Sequence, residues 1–187
     1  MNFEEHSTQW ILLIVALLGM AYAAFVIKRE KDSAFVHGHD YEFHGVKFRV
    51  PTWWAEKESE SGLSFHRADT YYDWRSNFTW HATPKDFNQF TIDWFAEKKI
   101  IIDEDGSMEE NLQHVFKDSD FQKSIIRARR IEGMGTQDVE KRIYLDVVFI
   151  QMQKGLMVAQ SHSSVLNGCL EGPYFEEVVY NFSSAEC

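Results

Sequence analysis

The strongest pattern along the chain is an apolar run near its start. From Trp10 to Ile27 it reads WILLIVALLGMAYAAFVI, 18 residues without a charge. As a helix this spans about 27 Å at ~1.5 Å per residue, close to the hydrocarbon thickness of a bilayer. Trp10 at one end and Lys28, Arg29 and Lys31 at the other supply an interfacial aromatic residue and a basic stop. A cleaved signal peptide carries positive charge ahead of its apolar stretch, whereas here Asn2, Phe3, Glu4 and Glu5 precede it, so a retained transmembrane helix is expected. Gly19 and Ala23 share a helix face with Ala16, a small-residue stripe that either admits a second helix or faces lipid. The predicted organisation is a short tail over residues 1–9, a transmembrane helix over 10–27, a polar linker over 28–40 and a folded domain over 41–187.

Within the domain the period changes. Tyr41 to Phe43 and Val46 to Val50 alternate apolar and polar around His44-Gly45, the signature of a β-hairpin whose Val46, Phe48 and Val50 face the core. Pro51 stops the strand, and Glu56 to Gly62 reads as a short helical turn and loop. Leu63 to His66 and Asn77 to Ala82 read as strands flanking a tyrosine-rich loop over Asp69 to Ser76. Thr83-Pro84-Lys85-Asp86 signals a helix start, and Phe87, Phe90, Trp94 and Phe95 form an apolar stripe beyond it. Ser107-Met108-Glu109-Glu110 matches a capping box and predicts a second short helix to about Lys117. Lys123 to Glu132, Val139 to Gln153 and Leu156 to Val165 are expected as three antiparallel strands, turning at Gly133-Met134-Gly135 and Gln153-Lys154-Gly155. Gly172-Pro173 is expected to open a terminal helix with Phe175, Val178, Val179 and Phe182 on its apolar side.

Composition narrows the function classes. With 187 residues, 44% of them hydrophobic and 26% charged, the chain holds one globular domain and its appendage. Wholesale disorder is excluded. A net charge of −10, from 29 acidic and 19 basic residues, argues against a nucleic-acid partner. Two cysteines exclude a disulfide framework, so a core rich in Phe and Trp must carry stability.

The stretch GVKFRVPTWW, followed by strands, a helix, three meandering strands and a closing PYFEEVVYNFSS helix, resembles the PsbP-like family over roughly residues 41–185. The opening motif falls on Gly45, Phe48, Val50, Pro51 and Trp54, and the closing one on Asn181, Phe182 and Ser183. The resemblance implies an α+β fold with an antiparallel sheet sandwiched by helices. It also implies an accessory or assembly subunit of membrane complexes, or a binding module, that acts through contacts and is not an enzyme, and no cofactor is expected. Its relatives are often lipoproteins or exported soluble proteins, which suits a periplasmic or lumenal domain. The flanks suggest the other side: residues 1–9 hold two acids and no base, whereas residues 28–32 hold three bases and two acids, so the positive-inside rule places the domain in the cytoplasm.

Few groups promise chemistry. His37, His39 and His44 with Asp40 have the ligand types of a metal site, against which stands a solvated polar linker. Arg127, Arg129 and Arg130 form a basic patch on a predicted strand, an exposed face balanced by acids or a partner-binding surface. Cys169 and Cys187 bracket the terminal helix and can pair as a disulfide in an oxidising compartment. Cys169 with His162 fits no activated-thiol spacing, and no phosphate loop, metalloprotease or nucleophile-elbow motif is present.

Overall fold

The computed structural model describes residues 3–57, 59, 62–70 and 73–185, with the side chains of 3–8 and 166–169 left aside. In chain order the elements are α1 (Phe3–Val36), β1 (His39–Phe43), β2 (Val46–Val50), β3 (Trp54–Lys57), β4 (Gly62–Arg67), β5 (Arg75–His81), α2 (Phe87–Glu97), β6 (Ile100–Ile102), β7 (Ser107–Glu110), a 3-10 turn (Leu112–Val115), α3 (Ser119–Ser124), β8 (Ile125–Gln137), β9 (Lys141–Met152), β10 (Gly155–Ser164), α4 (Val165–Tyr180) and β11 (Ser183–Ser184). The main antiparallel sheet runs β3-β4-β5-β10-β9-β8-β6, with β7 also on β8, and a small sheet runs β1-β2-β11.

The central strand β9 explains the layering. Its run IYLDVVFIQM is apolar on both sides because both faces are covered. Ile143, Leu145, Val147 and Phe149 join Phe87 and Trp94 of α2 in one cluster. Val148, Ile150 and Met152 point the other way and join Phe175, Val178 and Val179 of α4 and Phe48 of the small sheet. The α+β sandwich is therefore as expected, with α2 on one face and α4 plus the small sheet on the other.

Several elements follow local signals directly. The β1–β2 hairpin pairs Tyr41 with Phe48 and turns through His44 (φ 50°) and Gly45 (φ 82°), the left-handed geometry of a tight hairpin turn. Val46, Phe48 and Val50 are buried. Helix α2 starts at Asp86, whose carboxylate accepts from the Asn88 and Gln89 amides, and its stripe packs on the sheet.

Other elements depart from expectation. The polar segment after the apolar run continues as helix: α1 extends to Val36 because Lys28 to Lys31 are good helix formers and Ala34 is buried, 3% exposed. His39 and Asp40 then already belong to β1. Glu56 and Lys57 lie in β3, on the sheet edge, rather than in a helical turn. The Ser107–Glu110 tetrad is a strand paired with Arg129 to Glu132, since β8 offers it a free edge that a local cap cannot match. Gly133 and Gly135 do not turn the chain; β8 runs straight through them, and a Cβ on Gly135 would sit 2.5 Å from the Ile101 carbonyl oxygen. These glycines admit the edge strand. Helix α4 begins at Val165, with Pro173 inside it rather than at its start.

Candidate functional site

The most elaborate side-chain arrangement lies where α1 meets α4. Glu177 on α4 takes Lys31 of α1 at 3.0 Å, Lys117, and the Asn181 side-chain amide at 2.7 Å. Burial pushes the Glu177 carboxyl up, but these three donors outweigh it and hold it at about 2. One turn away Phe35 of α1 meets Tyr174 of α4, and Tyr174 meets Trp53 edge-on at 5.0 Å. Trp53 in turn lies under the Arg67 guanidinium. The C-terminal end of α1 is thus packed on the domain.

Behind Trp53 sits Glu171, 1% exposed. Trp54 Nε1 donates to it at 2.9 Å and Trp53 Nε1 at 3.4 Å, and Arg67 Nη1 donates to its other oxygen. Burial raises the Glu171 carboxyl despite these donors. Arg67 also grips Asp69 at 2.7 and 2.8 Å. A buried carboxylate with both oxygens satisfied fixes the start of β3 against α4.

A second buried network lies further along α4. Arg130 forks onto Asp146 at 2.9 and 2.8 Å and reaches Glu176 at 3.1 Å and the Tyr180 hydroxyl at 2.9 Å. Glu132 accepts from the Tyr144 hydroxyl and lies 2.9 Å from Arg130. Burial pushes the Asp146 carboxyl up to about 6, against the pull of Arg130.

The expected basic patch is therefore dismantled. Arg130 faces α4, while Arg127 and Arg129 face α2, both over the Phe87 ring and both paired with Glu110. Arg129 and Arg130 are buried, because a strand sends successive side chains to opposite faces and both faces of β8 are covered. The expected histidine metal cluster does not form either: among the described residues no group of three or more His, Cys, Asp or Glu side chains is placed to hold a metal ion. His39 opens β1 and His44 follows its last residue, some ~16 Å apart at ~3.3 Å per residue. His44 instead stacks flat on Trp80 at 4.6 Å, and Asp40 is taken by Arg49. Trp10, Gly19, Ala23, Lys28 and Arg29 all lie on exposed surface of α1. The Cys169–Cys187 pairing falls outside the described residues.

Sequence reasoning missed Glu171 and the partner of Arg130. For Asp146 a signal existed: an acid inside the apolar run YLDVVFI is buried and must find a cation.

No family model matches the chain, and no curated protein matches it in sequence. Among solved structures, cyanobacterial PsbP (CyanoP) from Synechocystis sp. PCC 6803 superposes with a TM-score of 0.50 and 12% identity, over 78% of this chain and 91% of that one. A protein of unknown function from Pseudomonas aeruginosa, PA94, aligns at a TM-score of 0.41 and 10% identity over 77% and 94% of the two chains, too slight a likeness to build on. The fold is PsbP-like.

Proposed function

We propose that this chain is a single-pass membrane-anchored accessory or assembly subunit of a larger integral membrane protein complex, working through protein contacts in the bilayer and beside it. The observation that carries the reading is α1: one helix long and apolar enough to cross a membrane, with its apolar window wholly exposed, runs without a break into a PsbP-like domain and is clamped to it through Lys31 and Glu177. An exposed apolar helix of this length needs lipid or another helix to cover it. The accessory role is what the resemblance to PsbP-like proteins implies. The reading assigns the chain no catalytic step, no cofactor and no nucleic acid.

The domain sits in the cytoplasm in this reading, because moving Lys28, Arg29 and Lys31 across the bilayer opposes the insertion bias; a periplasmic or lumenal domain is the alternative. Carbonate-washed membranes should retain the intact chain, and purification in mild detergent should bring down the same partner polypeptides at fixed stoichiometry. Release by carbonate, or a chain that purifies alone, overturns the reading. For sidedness, Val139→Cys is placed at an 89% exposed position in a chain with Cys169 and Cys187 replaced by serine. An impermeant thiol reagent should fail to label it in intact cells, and labelling moves the domain to the other side.

A further inference from the structure

The edge of the main sheet formed by β7 is open. Among the described residues β7 pairs with β8 alone, and all four of its residues are exposed. Its outer backbone amides and carbonyls are thus available to an added strand. Beside it runs a groove of about 310 Å³ lined by Phe95, Ile100, Ile102, Met108 and Ile131, with Asp103 and Ser107 as its polar members. Met108 stands at its lip, 62% exposed, an unbranched, adaptable side chain suited to a binding surface. Ile131, its partner across the strands, faces α2, so groove and edge lie on the same side of the sheet.

Charge decides what fits there. Segment 103–110 reads DEDGSMEE. Asp103 is held by Arg142 and Glu110 by Arg127 and Arg129, whereas Glu104, Asp105 and Glu109 are exposed and lack an ion pair among the described residues. A mainly apolar groove beside the exposed carboxylates of Glu104 and Asp105, with the exposed Glu109 on the other face of β7, favours an apolar residue flanked by cations. A second copy of this edge would set like charges opposite each other, which disfavours self-pairing.

We propose that β7 and its groove take an extended segment of the partner protein in which an apolar side chain is flanked by lysine or arginine. The segment adds a strand to β7, seats its apolar side chain against Met108 and Phe95, and turns its cations to Glu104, Asp105 and Glu109. The identity of the segment rests on the subunit reading: lysine- and arginine-rich loops beside membrane spans have this chemistry on the cytoplasmic side.

The test uses the full-length chain in mild detergent and two peptide probes, Lys-Val-Lys-Leu-Lys-Val-Lys and its counterpart with glutamate for lysine, read by fluorescence anisotropy. The lysine peptide should bind in a salt-sensitive way and the glutamate peptide should not. The triple variant Glu104→Lys/Asp105→Lys/Glu109→Lys, and separately Met108→Asp, should weaken binding at least tenfold while Glu140→Lys, an exposed reversal elsewhere, leaves it unchanged; near-UV circular dichroism checks that each variant is folded. Equal binding of both peptides, no binding of either, or unchanged binding by the two edge variants overturns the proposal. If the wild-type chain purifies alone from membranes yet binds the lysine peptide through this edge, the subunit reading falls and the edge assignment stands.

Discussion

The two faces of the main sheet are closed by different means. Toward α2 the contact is mainly apolar: Phe87, Trp94, Leu145, Val147 and Phe149 meet, with Trp94 and Phe149 edge to face, and one buried arginine, Arg129, bonds to Asn88 and Glu110 at its margin. Toward α4 an apolar core is crossed by two buried polar networks, Arg130 with Asp146 and Glu171 with Arg67 and two tryptophans. An apolar face tolerates small slides of the covering helix, because dispersion and burial are non-directional. A forked arginine on a carboxylate admits one register. The face that needs one register is the one whose helix also holds α1, through Tyr174 and Glu177. Specificity was placed where the orientation of the long apolar helix is set.

The largest effect should come from breaking the α4 face at its charge pair. Asp146→Ala leaves Arg130 buried without its main partner and should cost about 3–5 kcal/mol, seen as a lower denaturant midpoint of the full-length chain in detergent. Replacing both together, Arg130→Met with Asp146→Leu, should recover most of that stability while loosening the α4 register, which amide exchange along α4 would detect. Trp94→Ala tests the opposite face. It should also cost about 3–5 kcal/mol, the usual loss on truncating a buried large aromatic residue, and leave the orientation of α1 untouched. An unchanged midpoint would show that the α2 stripe is not packed.

His162 and Asp146 titrate in opposite senses. Burial, helped by Lys141 and Arg75, pulls His162 down to about 4, so the unfolded chain takes that proton first and stability falls as pH drops from about 6.5 to about 4. Asp146, raised to about 6 from an ordinary 3.8, is protonated first in the folded chain, and its contribution rises as pH falls from about 6 to about 4. His162→Phe should therefore reduce the loss of stability on acidification over that interval, and denaturant midpoints from pH 7 to pH 4 would show it. A slope identical to wild type would mean that His162 is solvated.

The smallest effect on stability belongs to the clamp. Lys31→Ala removes a half-exposed ion pair and should cost about 0.5–1 kcal/mol at most, yet increase the spread of helix-to-domain distances measured between spin labels on α1 and β9. Glu177, held at about 2 against an ordinary 4.5, stabilises fully above about pH 4.5 and loses its contribution as pH falls toward 2. Glu177→Gln should flatten that acid limb.

Local pattern determined much of this protein. The apolar run of α1, the β1–β2 hairpin, the capped stripe of α2 and the β9–β10 meander were legible because each rests on side-chain periodicity and turn residues a few positions apart. What tertiary structure decided is where local signals met a distant competitor. Ser107 to Glu110 carries a helix-cap pattern, but the free edge of β8 drew it into a strand. Gly133 and Gly135 carry a turn pattern, but they make room for the edge backbone. The polar residues after Ile27 looked like a tether, but Phe35 and Lys31 found α4 and Ala34 is buried. The arginine cluster was divided between two faces, and Glu171 found Arg67 across 104 positions of chain. Short-range patterns state what a segment can form alone; a buried charge or an open edge is settled by whichever partner the fold brings near, since leaving it unpaired away from water costs more than any local preference.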